Sequence, residues 1–171
     1  MKKITFLLAL PLYILLSTSC NTHNPESTVM IPHANLDEHV ILLLDEIFSK
    51  SNPKLYSAHV QNCSLSTDKP IFIIKSESEL ESICPDNIEI PIFDFSNNCI
   101  IYSHIQTPSV SDEILYTELA FQENSNLHYF IVSIQKCTNC WDAIGECFPY
   151  GIFSVNPGHW GFPVSMLSKN S

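Results

Sequence analysis

Two neighbouring strand-like segments, residues 113–122 and 127–136, place the strongest constraint on how this chain can fold. The second segment alternates well, with Phe130, Val132 and Ile134 on one face and Ser133 and Gln135 on the other. Such alternation is typical of a strand with one buried face, and the polar residues between the segments favour a turn. The pattern predicts an antiparallel hairpin, which needs further strands or helices to be stable.

The segment Leu36–Lys50 predicts a helix. Its apolar residues recur every three or four positions and so share one helix face: Leu36, Val40, Leu43, Leu44, Ile47 and Phe48. Asn35 with Glu38 resembles a capping box at the start, and Pro53 indicates the exit.

Shorter elements complete the predicted domain, whereas Leu55–Ser66 has no clear periodicity. They are a strand at 70–75, a second helix capped by Ser76 and Glu79 and running through Cys84, and strands at 99–106 and 148–155. We expect an α+β domain with a small antiparallel sheet and one or two N-terminal helices.

The N-terminal residues have the composition of an export signal. Lys2 and Lys3 precede an apolar run from Ile4 to Leu16, which is shorter than the roughly 20 residues that a membrane-spanning helix needs. Small residues follow, and then Cys20. This arrangement predicts a cleaved signal peptide at 1–19.

The segment Ser17-Thr18-Ser19-Cys20 resembles the lipobox of bacterial lipoproteins, with Ser17 where the strict pattern prefers Leu. The resemblance implies cleavage before Cys20, a diacylglycerol thioether on Cys20, and further acylation, for example by palmitate. Several acyl chains give stable membrane anchoring. Asn21 differs from the Asp of an inner-membrane retention signal, so we expect a cell-envelope lipoprotein of the outer rather than the inner membrane, and the sequence leaves the leaflet open.

The mature chain is strongly acidic. Removing Lys2 and Lys3 with the signal peptide changes the net charge from −10 to −12. Nucleic acids bind proteins through cationic side chains that release counterions, so this charge excludes a nucleic-acid partner. Anionic headgroups would also repel it, and membrane attachment is left to the lipid on Cys20.

The domain boundaries follow from composition. Residues 20–34 contain Pro25 and Pro32 and show no periodicity, which predicts a lipidated cysteine and a flexible tether. Residues 35–166 form one block long enough to bury its own core, and residues 167–171 are expected to form a tail.

Six cysteines lie beyond Cys20: Cys63, Cys84, Cys99, Cys137, Cys140 and Cys147. An even number in an exported domain is typical of disulfides, so we expect a disulfide-stapled domain whose pairing the sequence leaves open. Two alternatives remain. Cys137 and Cys140 follow a strand and could form a redox pair, or Cys137, Cys140, Cys147 and His159 could bind zinc.

No motif for a catalytic triad, a helical zinc site or a phosphate loop occurs in the sequence. The carboxylates that could in principle pair as in a glycosidase are Asp94, Asp112, Glu113 and Glu118, but surface acids are common in this chain. We therefore expect a protein that is not an enzyme and has no cofactor or metal.

Aromatic residues in the C-terminal part provide candidate binding side chains, namely Trp141, Tyr150 and Trp160. Exposed rings stack on sugars or peptides, whereas buried ones fill a core. Trp160, between Gly158 and Gly161, is the one expected to be exposed.

The stretch Ile71–Tyr102 combines a strand, a Ser-capped short helix and the motif Pro91-Ile-Phe-Asp-Phe-Ser96. It resembles the C-terminal domain of the accessory lipoprotein of a dentilisin-like protease complex. The resemblance implies a helper role without catalytic residues. Our leading hypothesis is a non-enzymatic binding or accessory lipoprotein for a protein partner. The alternatives are a thiol-disulfide protein using Cys137 and Cys140, and a glycan-binding lipoprotein.

Overall fold

The computed structural model describes residues 28–62, 71–107, 109–125, 127–137, 143–155 and 164–170. These residues form three helices and nine strands: β1 (Thr28–Ile31), α1 (Glu38–Ile47), α2 (Pro53–Asn62), β2 (Ile71–Ile74), α3 (Glu77–Ile83), β3 (Asn98–Ser103), β4 (Ile105–Thr107), β5 (Glu113–Gln122), β6 (Leu127–Gln135), β7 (Gly145–Cys147), β8 (Tyr150–Ser154) and β9 (Val164–Asn170). The predicted α+β class is confirmed. Within the described ranges, no helix is long and apolar enough to cross a membrane.

A long antiparallel ribbon forms the centre of the molecule. β3 pairs with β8 and β4 pairs with β7 in one unbroken register, from Asn98 opposite Ser154 to Thr107 opposite Gly145. Pro149 interrupts the ladder because proline has no N–H, yet its carbonyl still accepts from Ser103 N at 3.1 Å. With β2 added beside β3, this is the central sheet.

The second sheet has the order β1-β5-β6-β9. It contains the predicted hairpin, β5 with β6, which is antiparallel with an irregularity between Ile114 and Tyr116. β9 runs parallel to β6, unlike the wholly antiparallel sheet that we expected. Parallel neighbours need a long crossover, and here the chain between them passes through β7 and β8 in the central sheet.

The central sheet is covered on both faces, so its strands alternate between two cores. On β3, Ile100 and Tyr102 face the helices, whereas Cys99 and Ile101 face the second sheet. The helix-side core comprises Leu44, Ile47, Phe48, Leu55, Ile74, Leu80, Ile83, Cys84, Ile100, Tyr102, Phe148 and Ile152. The sheet-side core comprises Cys99, Ile101, Ile105, Leu119, Phe130, Val132, Ile134, Phe153 and Val155.

The predicted phase of α1 is confirmed, but its cap differs. Leu44 is 0% exposed and Leu42 is 59% exposed, as an apolar face containing Leu44 requires. The helix is capped by Asp37, whose side chain accepts from His39 N at 2.8 Å, rather than by Asn35. Asp37 has an extended backbone, which places its carboxylate over the free N–H groups of the first turn.

Helix α2 lies where no helix was predicted. Pro53, interpreted as an exit from α1, is instead the first residue of α2, a position that suits its fixed φ. The buried Asn52 accepts from Lys54 N and Leu55 N through Oδ1, while Nδ2 donates to Ile47 O and Ile83 O at 2.7 and 2.8 Å. One side chain therefore ties all three helices together.

Chain segments outside the expected domain also enter the sheets. Thr28–Ile31, which we expected in the tether, pairs with β5 as β1. The next residues pair with β8, where Ser154 N donates to Pro32 O at 3.1 Å and Ala34 N donates to Ile152 O at 2.9 Å. β9 includes residues 167–170, which we expected in the tail.

Candidate functional site

An open groove runs between α1 and β5, with β8 as its floor. The groove has a volume of about 340 Å³ and is lined by His33, Ala34, Leu36, Ile41, Asp45, Ile114, Tyr116, Thr117, Tyr150, Gly151 and Ile152. We call it the α1–β5 groove. A second cleft of about 330 Å³ adjoins it and shares Asp45, Ile114 and Tyr150.

The groove exists because the chain leaves the edge of β8 early. Residues 32–34 pair with β8, and after Ala34 the backbone turns away towards α1. The floor depends on Gly151, since a Cβ there would lie 2.5 Å from Phe153 Cζ and 2.7 Å from Thr117 Oγ1. The missing side chain lets β5 approach β8 closely, and a glycine within a strand often marks such an approach.

Tyr150 and Asp45 form the polar contact at the centre of the groove. Tyr150 Oη donates to Asp45 Oδ1 at 2.6 Å, and the Tyr150 ring stacks on Phe48 with centroids 4.5 Å apart and planes at 19°. Burial, followed by the hydrogen bond to the Asp45 carboxylate, raises the pKa of Tyr150. Of the three predicted binding aromatics, Tyr150 thus lies at the groove, but Phe48 covers one face of its ring.

The adjoining cleft contains a thiol. It is lined by Asp45, Phe48, Lys50, Ile114, Cys147, Phe148, Pro149 and Tyr150. Burial raises the pKa of Cys147 to about 11, with the Asp112 charge adding to the shift and Lys50 opposing it. Because the thiolate is the reactive form, Cys147 is a weak nucleophile at neutral pH and acts as an apolar part of the wall.

The expectation that all six domain cysteines form disulfides is not supported. Cys84, Cys99 and Cys147 are free. Cys84 belongs to the helix-side core and Cys99 to the sheet-side core, so the central sheet separates them. Cys147 lies opposite Ile105, about 20 Å along the ribbon from Cys99 at roughly 3.3 Å per residue, whereas a disulfide needs Cα atoms within about 7 Å.

The remaining cysteine predictions fall mostly outside the described residues. Among the described cysteines, only Cys137 is not free. Cys20, Cys63 and Cys140 are themselves outside those ranges, as is His159 of the alternative zinc site. Across the described part of the chain, no three His, Cys, Asp or Glu side chains converge to hold a metal ion.

Two of the candidate carboxylates brace turns. Asp94 accepts from Ser96 N and Asn97 Nδ2, and these hydrogen bonds lower its pKa. Asp112 accepts from Ser109 N and from Cys137 N, joining the turn before β5 to the end of β6.

The other two candidate acids lie at separate positions on β5, Glu113 opposite Gln135 and Glu118 opposite Ile131. Trp141 and Trp160 are outside the described residues.

The sequence analysis missed most of the groove. Asp45 was one of several acids on the polar side of a helix, and Thr117 was one residue of a strand. Besides Tyr150, Gly151 was the position with a signal, because a glycine inside a strand pattern suggests close backbone approach. Comparison with known proteins assigns no role to these residues. No protein family matches this chain, and neither a curated protein nor a solved structure matches it.

Proposed function

We propose that this protein is a non-enzymatic lipoprotein of the cell envelope that binds a segment of a protein partner in the α1–β5 groove. The observation that carries the proposal is an open groove with apolar walls and a single carboxylate, Asp45, at its centre. Its volume of about 340 Å³ lies in the range typical of ligand sites, roughly 300–1,000 Å³.

The rim of the groove supports a protein partner. Ile41 on α1 and Tyr116 on β5 are 40% and 48% exposed and line opposite walls. Large apolar and aromatic side chains beside a pocket are typical of binding hot spots, because they bury much area with little loss of conformational freedom. The Cys147 thiol in the adjoining cleft keeps its proton at neutral pH, which favours binding over covalent chemistry.

Site-specific photo-crosslinking in native membranes tests the groove. We expect a photoreactive benzoylphenylalanine at Tyr116 to form a discrete protein adduct. The matched control is the same replacement at Tyr56, which is 42% exposed on α2 and outside the groove. Adducts at Tyr116 that are absent at Tyr56 support the proposal. Equal adducts at both positions, or none at Tyr116, contradict it.

The proposed membrane attachment rests on the lipobox resemblance and has its own test. Cys20→Ser should abolish lipid labelling and move the protein from the membrane to the soluble fraction, because the acyl chains supply the anchoring energy. A variant that still sediments with membranes after a high-salt wash would contradict lipid anchoring at Cys20.

The proposed disulfide stapling is limited to a bridge that involves Cys137. Its N–H donates to Asp112 Oδ1 at 2.9 Å, so a bridge there would secure the open end of the β5–β6 hairpin. Alkylation after unfolding without reductant should modify Cys84, Cys99 and Cys147 but leave Cys137 unmodified. Modification of Cys137 would contradict a disulfide at this residue. Protection of the other three cysteines would support the expectation that all of them form disulfides.

A further inference from the structure

We propose that the occupant of the α1–β5 groove is an extended, basic peptide segment of an exported protein, which adds to the edge of β8 as a short strand. The inference rests on the proposed function and deepens it, since it specifies how the partner is recognised. In this mode, backbone hydrogen bonds supply affinity and alternate side-chain positions supply specificity.

The hydrogen bonds of β8 show which backbone groups face the groove. Ser103 N donates to Pro149 O, and Val155 N donates to Asn97 O, both at 3.1 Å. Odd-numbered residues of β8 therefore turn their backbone groups towards β3. Since successive residues of a strand point their backbone groups to opposite sides, Tyr150, Ile152 and Ser154 turn theirs away from β3.

Three of these six outward groups already have partners. Ser154 N–H and Ile152 C=O pair with residues 32–34, and Tyr150 C=O accepts from Thr117 Oγ1 at 2.9 Å. Two donors remain. Within the described ranges, neither the Tyr150 N–H nor the Ile152 N–H has a hydrogen-bond acceptor. The edge of β8 is thus paired at one end and open at the other.

The chain itself demonstrates that this edge accepts an extended strand. Pro32 and Ala34 pair with it in antiparallel register, and the groove begins where they depart. Ala34 lies opposite Ile152, so a peptide continuing that line would lie opposite Tyr150 and offer a carbonyl to the Tyr150 N–H. Its own N–H would reach the second lone pair of the Tyr150 carbonyl.

The side chains around the open edge define the peptide. Alternate side chains of a strand point to opposite faces, so one set would contact the apolar walls at Ile41 and Ile114. The Asp45 carboxylate, which accepts one hydrogen bond from Tyr150, has further acceptor capacity for a cationic side chain. The chain's net charge of −10 also favours a basic partner.

The decisive experiment measures amide exchange with a defined probe, acetyl-Val-Lys-Val-Lys-Val-amide, added to the native full-length protein. Residue-resolved hydrogen exchange by NMR should slow at least tenfold at Tyr150 when the probe saturates the groove. Gly151 is an internal control, because its backbone groups face β3 and should change little. Binding of the probe without slower exchange at Tyr150 would overturn strand addition.

Two further comparisons separate this inference from the proposed function. An otherwise identical probe, N-methylated on alternate residues, keeps its side chains but loses backbone donors, and we expect at least tenfold weaker binding. Equal affinity of the two probes would overturn strand addition while leaving groove binding intact. Asp45→Asn should weaken the lysine probe about threefold to tenfold and leave a glutamine version unchanged. If the lysine probe does not bind at all, the basic extended occupant is rejected, whatever the crosslinks at Tyr116 show.

Discussion

On one face of the central sheet, Cys99 and Phe153 pack against β5 and β6 and are fully buried, whereas on the other face Phe148 and Tyr150 pack beside α1 at an open groove. The same strands supply both faces. The second sheet packs against the first face through β5 and β6. Because α1 and β5 belong to layers on opposite faces of the central sheet, the groove between them opens along the edge of β8.

Two thiols differ in how completely they are enclosed. Burial raises the pKa of Cys99 to about 12 and that of Cys147 to about 11. Cys99 lies within the sealed sheet-side core, whereas Cys147 packs against that core and also lines the cleft. Stability and binding are therefore divided between the sealed core and the open edge beside α1, and four predictions test that division.

The largest effect is expected for a charge placed in the helix-side core. Leu44→Asp should prevent folding or cost more than about 4 kcal/mol, because Leu44 is fully buried and the new carboxylate would be unpaired. Leu42→Asp, on the exposed side of the same helix, should change the free energy of unfolding by about 0.5 kcal/mol or less. Chemical denaturation measures the free energy of unfolding of both variants. Similar losses in the two would contradict the assignment of Leu44 to the buried face.

Truncating one large ring on each face compares the two cores directly. Phe130→Ala should cost about 3–5 kcal/mol, since the cavity in the sheet-side core is sealed. Phe48→Ala should cost less, because Phe48 borders the cleft and water can enter the space it leaves. Denaturant unfolding of both variants shows which loss of stability is larger, provided that the dependence of the free energy on denaturant concentration is unchanged. A larger loss at Phe48 would show that the groove face is the better packed one.

Alkaline pH should destabilise the folded protein through the buried thiol of Cys99. Because the folded state raises the pKa of Cys99 from 9.0 to about 12, it holds the proton more tightly than the unfolded chain. The stability contributed by the protonated thiol is complete below pH 9 and is lost as the pH rises towards 12. Cys99→Ala should therefore flatten the fall in melting temperature across this window, and Cys147→Ala should flatten it less. Identical slopes in both variants and the parent protein would contradict the burial difference.

The smallest effect is expected at the groove itself. Tyr150→Phe removes the hydrogen bond to Asp45 and should cost about 0.5–1.5 kcal/mol, since the exposed carboxylate regains water. The stacking on Phe48 would remain. Thermal unfolding at neutral pH measures the change, and a loss as large as that of Phe130→Ala would mean that the groove is part of the structural core.

Local periodicity was sufficient for the elements whose signals lie within one segment. The β5–β6 hairpin and the buried face of α1 follow from spacings of two and of three to four residues. The start of α3 follows from Ser76, which accepts from Glu79 N at 3.3 Å. α2 had a local signal that we misinterpreted, because Asn52-Pro53 is a cap followed by a first helical residue.

The sequence by itself determined the α+β class and most of the segments able to become strands or helices, because these depend on neighbouring residues and composition. Only the tertiary structure decided which strands became neighbours, that β9 runs parallel to β6, and that three cysteines stay apart. It also assembled Asp45, Thr117 and Tyr150 around one groove from distant parts of the chain. Such contacts depend on the register between strands and on how layers pack, and those are settled by the whole core rather than by any one segment.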